Sequence, residues 1–220
     1  MGILSASMIS IAAQQPPSAA QYVIFDGSAA DSQFAGTFAR LAEALPHQTK
    51  VVEWRQTAPA MDELAQELKR RQDGDITDAP SIFVIVYALQ RYRLLRKSDD
   101  AFSFGSDEQK GPQPDKQFVD LVREGPALGI HVLTWADTPA AVERTIERGL
   151  MREFDHRILF QMSANDSSNL IDSPAANKLG FNRALVYSEE QGVMEKFRPY
   201  APPPDAWVQG VKERMGQRKV

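Results

Sequence analysis

Apolar positions recur along this chain in two alternating rhythms. Residues 3–14 place Ile3, Leu4, Met8, Ile11 and Ala12 at helical spacing, and "QQPPSAA" ends the run. "YVIFDG" (22–27) is a short unbroken apolar stretch closed by Asp26 and Gly27, the pattern of a strand buried on both faces. Phe34, Phe38, Leu41 and Leu45 predict a helix over 31–45, with Asp31 or Ser32 as cap and Pro46 at its end. "TKVVEW" (49–54) reads as a strand. The helix predicted over 58–74 has Pro59 in its first turn, Asp62 and Glu63 early and Lys69, Arg70 and Arg71 late, a charge order that suits the helix dipole.

The same alternation continues through the second half. "PSIFVIVYALQRYR" (80–93) contains the most apolar strand of the chain, ending in Tyr87 and Ala88. Residues 98–115 are polar, contain Gly and Pro and lack periodicity, which predicts a long mobile loop with Phe102 and Phe104 as its only large apolar groups. A helix over 116–129, a strand over 130–137 and a helix over 138–154 follow, the last with Thr138 as cap and Pro139 at the first helical position. A strand over 156–163, a short helix over 165–172, a hairpin turning at 190–192 and a final helix over 204–217 complete the pattern. Strands alternating with helices predict an α/β fold: a doubly wound, mostly parallel sheet flanked by helices, with an antiparallel hairpin near the C-terminus. In that layout residues 1–203 form one domain and 204–220 a C-terminal helix or tail. Ligands of such sheets sit at the carboxyl ends of the strands, so Asp26, Tyr87, residues 135–137 and 163–167 become the candidates. Trp54 and Trp135, at strand ends, read as core residues.

Composition narrows the chemistry. The chain has 220 residues, 43% of them hydrophobic, enough for one sizeable core. It has no cysteine and only His47, His131 and His156, which form no ligand-spaced pair, so neither disulfides nor a structural zinc are expected. No apolar run approaches the roughly 18 residues that span a bilayer, and no membrane contact is expected from this segment. The net charge of −4 lacks the overall basic footprint of a nucleic-acid binder. Any DNA contact has to be local, and the densest positive stretch is "RYRLLRK", with Arg91, Arg93, Arg96 and Lys97; the same residues also suit a solvated face.

Three stretches together resemble the motor domain of the FtsK/SpoIIIE family of DNA-translocating ATPases. "REGPALGIHVLTWADTP" (123–139) is similar to the family's helix end, Gly-Ile-His strand and polar sensor position. "HRILFQMSANDSSNLIDSPAANKLG" (156–180) resembles its phenylalanine-glutamine strand, Asp-Ser turn, Ile-Asp and Leu-Gly; it is the most specific part. "YVIFDG" and "PSIFVIVYALQRY" fall where the strand after the phosphate loop and that of the second acidic motif belong. The resemblance covers most of residues 3–200. It implies a RecA-like sheet, usually in a six-membered homo- or hetero-oligomeric ring, with ATP and Mg²⁺ at the subunit boundary and duplex DNA as partner. It also implies a cytoplasmic domain, as part of a larger membrane-tethered protein in some members.

The family's chemistry needs backbone N–H groups and a lysine around the phosphates, Mg²⁺ held by a hydroxyl and a carboxylate, and a charge from across the interface. No Gly-Lys pair of a phosphate loop occurs in the chain, and the helix from Ile3 resembles the one that follows that loop, which places the loop of an active relative upstream of Met1. The family's Asp-Glu pair corresponds to Tyr87 and Ala88, and a phenol with a pKa of about 10 does not replace a carboxylate. The sensor pair corresponds to Ala136 and Asp137. Ser168 stands where an arginine follows Asp166 and Ser167.

The resemblance therefore implies a degenerate ATPase domain with no catalytic residue of its own, in a structural or regulatory role. Two alternatives stay open: an active translocase whose phosphate loop lies upstream, and a nucleotide-independent interaction module. Asp26, Asp137 and Thr138 are the nucleotide-side candidates, against plain turn and cap roles. Arg152, Arg157, Asn165, Asp166, Ser167 and Arg183 are the interface candidates, against surface pairing for the arginines and capping of the short helix for the others.

Overall fold

A computed structural model describes residues 1–76, 78–98 and 112–216. Residues 99–111 of the loop predicted over 98–115, with Phe102 and Phe104, lie outside them, and its last two residues open a helix at Pro114. Four strands form a parallel sheet in the order β2-β1-β3-β4: β1 (Ala20–Asp26), β2 (Thr49–Val52), β3 (Ser81–Tyr87) and β4 (Ile130–Trp135). Helices α1 (Gly2–Gln14) and α2 (Thr37–Ala44) cover one face, together with α8 (Asp205–Gly216). Helices α3 (Thr57–Asp73) and α4 (Pro114–Glu124) cover the other.

The apolar run of β3 is explained by this double cover. Ile82, Val84 and Val86 pack toward α3 and α4, while Ile85 and Tyr87 pack toward α1 and α2, so both sets of alternating side chains are buried. From β1 the chain moves outward to β2 through α2, then returns across the sheet to β3 through α3 on the opposite face. The winding reverses between β1 and β3, and that reversal makes their carboxyl ends the topological switch point.

The second half differs from expectation in its pairing. The strand predicted over 156–163 becomes β5 (His156–Phe160), which pairs with the hairpin β6 (Ala184–Ser188) and β7 (Val193–Phe197) in a separate antiparallel sheet. Among the described residues the outer edge of β4 carries no strand. Helix α7 (Ala164–Ile171) covers one face of the small sheet through Leu159, Ile171 and Leu185.

Local differences have local causes. The helix predicted over 31–45 starts only at Thr37, because Gly36 turns into the left-handed region at φ 72°. The helix predicted over 138–154 is two short ones, α5 (Pro139–Glu143) and α6 (Arg148–Met151), separated where Glu147 adopts an extended backbone. That break lets both Ile146 and Leu150 reach the core. Trp54, expected in the core, is 70% exposed beneath the Arg55 guanidinium, since β2 stops at Val52 and a 3-10 turn carries Trp54 outward. The C-terminal helix is packed into the body: Val208 is buried against the α1–α2 face and Arg40 pairs with Asp205.

At the opposite end of the sheet, Arg71 is 1% exposed and fully employed. It donates to Glu67, to the Leu128 carbonyl at 2.7 Å and to the Pro80 carbonyl at 2.8 Å, tying α3 to the starts of β3 and β4.

Candidate functional site: the switch-point crest

The crest of the sheet is built by three residues in one register row. Asp26 of β1 stands opposite Tyr87 of β3, which stands opposite Trp135 of β4. The Tyr87 and Trp135 rings stack with centroids 4.8 Å apart and planes 16° from parallel, and Phe38 of α2 meets Tyr87 edge-on at 5.8 Å. Burial, and secondarily the Asp26 charge, raise the Tyr87 pKa above its ordinary value. Its phenol therefore stays neutral through the physiological range.

Backbone and side chains close over this row. Gly27 N–H donates to the Tyr87 carbonyl at 3.0 Å, and a Cβ on Gly27 would lie 2.4 Å from that oxygen, so no larger residue fits. Arg91 donates to the Gly27 carbonyl at 3.0 Å and fastens the turn from the far side. Ala88 follows Tyr87 at φ 62° and ψ 58°, a left-handed conformation that few residues other than glycine adopt without strain. The Asp26 carboxylate accepts from the Ser28 N–H at 2.9 Å and the Ser28 hydroxyl at 2.6 Å. It thus makes a local Asx turn. The N-terminal end of α1, where such a helix attracts anions, is approached closely by the chain leaving β7: a Cβ on Gly2 would lie 2.1 Å from the Tyr200 carbonyl oxygen.

The remaining candidates separate into structural groups. Thr138 caps α5 by accepting from Ala141 N–H at 3.2 Å, and its hydroxyl donates to Asp137 at 3.1 Å. The short helix α7 is capped by Ser163, which accepts from Asp166 N–H at 3.0 Å and donates to the Asp166 carboxylate at 2.7 Å. Capping therefore belongs to a residue just upstream of Asn165, Asp166 and Ser167. Ser167 is fully buried, donating to the Ser173 carbonyl at 2.5 Å and accepting from Ala176 N–H at 3.1 Å, which removes it from any accessible subunit face. Arg157 is likewise internal: it donates to the Met151, Phe154 and Leu170 carbonyls at 2.9–3.0 Å and pairs with Glu189. Arg152 and Arg183 remain exposed.

In "RYRLLRK", Arg91 is held by Gly27, Arg96 by the Gln90 carbonyl at 2.7 Å, and Lys97 by Glu147 at 3.0 Å. Arg93 alone of the four is exposed without a partner among the described residues. Sequence reasoning places Trp135 at a strand end and Gly27 after Asp26, but gives neither the Tyr87–Trp135 stack nor the Arg91 latch on the Gly27 carbonyl.

The crest does not fit the ATP–Mg²⁺ group that the family chemistry implies. The end of β3 presents a neutral phenol and the Ala88 methyl where the resemblance implies a carboxylate pair, Asp26 is engaged by Ser28, and no cluster of three or more His, Asp or Glu suited to a metal occurs among the described residues.

No protein-family model and no curated protein matches the sequence. Solved structures do match. The cytoplasmic domain of the type VII secretion ATPase EccC from Thermomonospora curvata superimposes with a TM-score of 0.64 at 17% identity over 99% of this chain. This chain spans only 26% of that one. The genome packaging NTPase B204 from Sulfolobus turreted icosahedral virus 2, solved in complex with ATP-gammaS, superimposes with a TM-score of 0.50 at 13% identity, over 90% of each chain. With its parallel sheet wound on both faces and its separate antiparallel hairpin sheet, the chain shares the RecA-like α/β fold of these solved structures.

Proposed function

We propose that this chain is a degenerate motor domain: an ATPase-like body that serves a DNA-translocating or secretion-type motor as a structural or regulatory part and turns over no nucleotide itself. The observation that carries the reading is the crest row: Tyr87, stacked on Trp135, and Ala88 stand at the strand end where the sequence resemblance implies a carboxylate pair. Mg²⁺-dependent phosphoryl transfer needs an anion there to hold the metal's coordination shell, and a neutral phenol provides none. The close approach of Tyr200 to the start of α1 supports the same conclusion, because phosphate recognition at a helix N-terminus needs that end open.

In this role the domain contributes packing surfaces to an oligomeric assembly while catalytic groups come from other domains. An active translocase with its phosphate loop upstream remains the competing reading, drawn from the order of the strand motifs. Calorimetry with a non-hydrolysable ATP analogue separates them. The degenerate reading expects no binding, or binding whose affinity does not change when Mg²⁺ is added. Micromolar binding that requires Mg²⁺ contradicts it.

A further inference from the structure

We infer that the end of the small antiparallel sheet is a binding surface for single-stranded nucleic acid, built on Phe181 and four neighbouring cations that have no ion-pair partner among the described residues. This inference is independent of the nucleotide crest.

Phe181 is 90% exposed, at the tip of the turn that enters β6. Its flanking residues hold it there: Gly180 at φ 81° and Asn182 at φ 53° fix a tight turn, and Gly180 N–H donates to the Gln161 side chain at 3.0 Å, pinning the turn to the end of β5. Leu179, just before it, is buried in the small core. An aromatic ring is thus presented to water on a backbone anchored at both sides, where burying it would have been the cheaper arrangement.

The cations gather around the same turn. Ala184 faces Phe197 in the antiparallel register, so the next residues outward are Arg183 and Arg198, which leave the ladder side by side. Like charges in that relation disfavour the sheet unless an anion sits between them. Lys196 stands opposite Leu185 and shares its face, the face on which the 3-10 turn Pro174–Lys178 packs. Lys178 ends that turn. Lys178, Arg183, Lys196 and Arg198 are all exposed, and none has an ion-pair partner among the described residues; Arg183 gives only a 3.3 Å bond to the Asn182 carbonyl. In a chain with 29 acidic against 25 basic residues, placing four unneutralised cations at one end of a seven-stranded body deepens the acidic excess of the remainder.

A backbone-tracking group of cations beside a rigid, exposed ring is the arrangement that binds nucleic-acid strands with unstacked bases, the cations taking phosphates and the ring taking a base. A duplex offers the phosphates but hides its base faces, so it uses only half of this surface. An acidic protein segment uses only the cations. By contrast, the cations of "RYRLLRK" are mostly spent on internal carbonyls and Glu147.

The test is fluorescence anisotropy of a labelled oligothymidylate with the purified chain, at low salt and across a salt series. The account expects binding with a log–log salt slope of about −3, four phosphates at about 0.7 each. Phe181→Ala should weaken it by about tenfold or more, Arg198→Ser should make the slope shallower by about 0.7, and Lys69→Ser, at an exposed cation of α3 outside this surface, should leave both unchanged. All three sites are exposed, so the variants keep the fold. Absence of binding at low salt, equal affinity for Phe181→Ala, an equal loss with Lys69→Ser, or tighter binding of poly-glutamate than of oligothymidylate would each overturn the inference.

Discussion

Tyr87 and Trp135 stand opposite each other in the β3–β4 register with ring centroids 4.8 Å apart and planes 16° from parallel. The stack packs at the carboxyl end of β3 and β4, on the face that α1 and α2 cover, next to the switch point between β1 and β3. Trp135→Ala removes a partly buried ring and its stacking partner. We expect a loss of about 2 kcal/mol in urea unfolding, below the ~3–5 kcal/mol of a fully buried aromatic.

Gly27 tests how tightly the crest is closed. A methyl group there meets the Tyr87 carbonyl at 2.4 Å, and the obstacle is backbone that cannot swing aside. Gly27→Ala should therefore cost about 2–3 kcal/mol, the range of overpacked sites. A neutral result by thermal or chemical unfolding would show that β1 and β3 are not locked at this point.

Ala88 makes the opposite prediction. Its φ of 62° is strained for any residue with a Cβ. Ala88→Gly should raise stability by about 1 kcal/mol, the relief of strain exceeding the added freedom of the unfolded chain.

Much of this fold was legible before the structure. The β3 run and the helices at 3–14 and 58–74 are long, strongly periodic segments whose local preference agrees with their packing. The register row Asp26–Tyr87–Trp135 was not legible, because strand register depends on which residues face each other across 48 and more positions of chain. The exposed Trp54 shows the same limit: an aromatic at a strand end looks like core until the strand stops two residues early. Arg157 and Ser167 looked like interface residues because charge and polarity in a sequence do not disclose three carbonyl partners or a buried hydroxyl.

Glu67 makes stability pH-dependent at the acid end. Its hydrogen bonds to Arg70, and then to Arg71, hold its pKa at about 2 against an ordinary 4.5. Because the folded pKa is depressed, this stabilisation is present above pH 4.5 and is lost as pH falls toward 2. Glu67→Gln should flatten that limb of the stability profile while leaving its shape above pH 5 unchanged.

Arg71→Met acts at every pH. It leaves the Leu128 and Pro80 carbonyls without donors in a buried setting, at a cost of about 3–5 kcal/mol. Equilibrium unfolding at pH 7 measures it directly, and a change below 1 kcal/mol would mean that water replaces the guanidinium.

On the proposed function, the crest supports no phosphoryl transfer. The most direct measurement is release of phosphate from ATP by the purified chain, with and without Mg²⁺. The prediction is a rate indistinguishable from the protein-free blank in both conditions. Turnover that requires Mg²⁺ and is lost on Asp26→Asn would contradict it, and would place working chemistry at a crest that carries a tyrosine and an alanine in place of two acids.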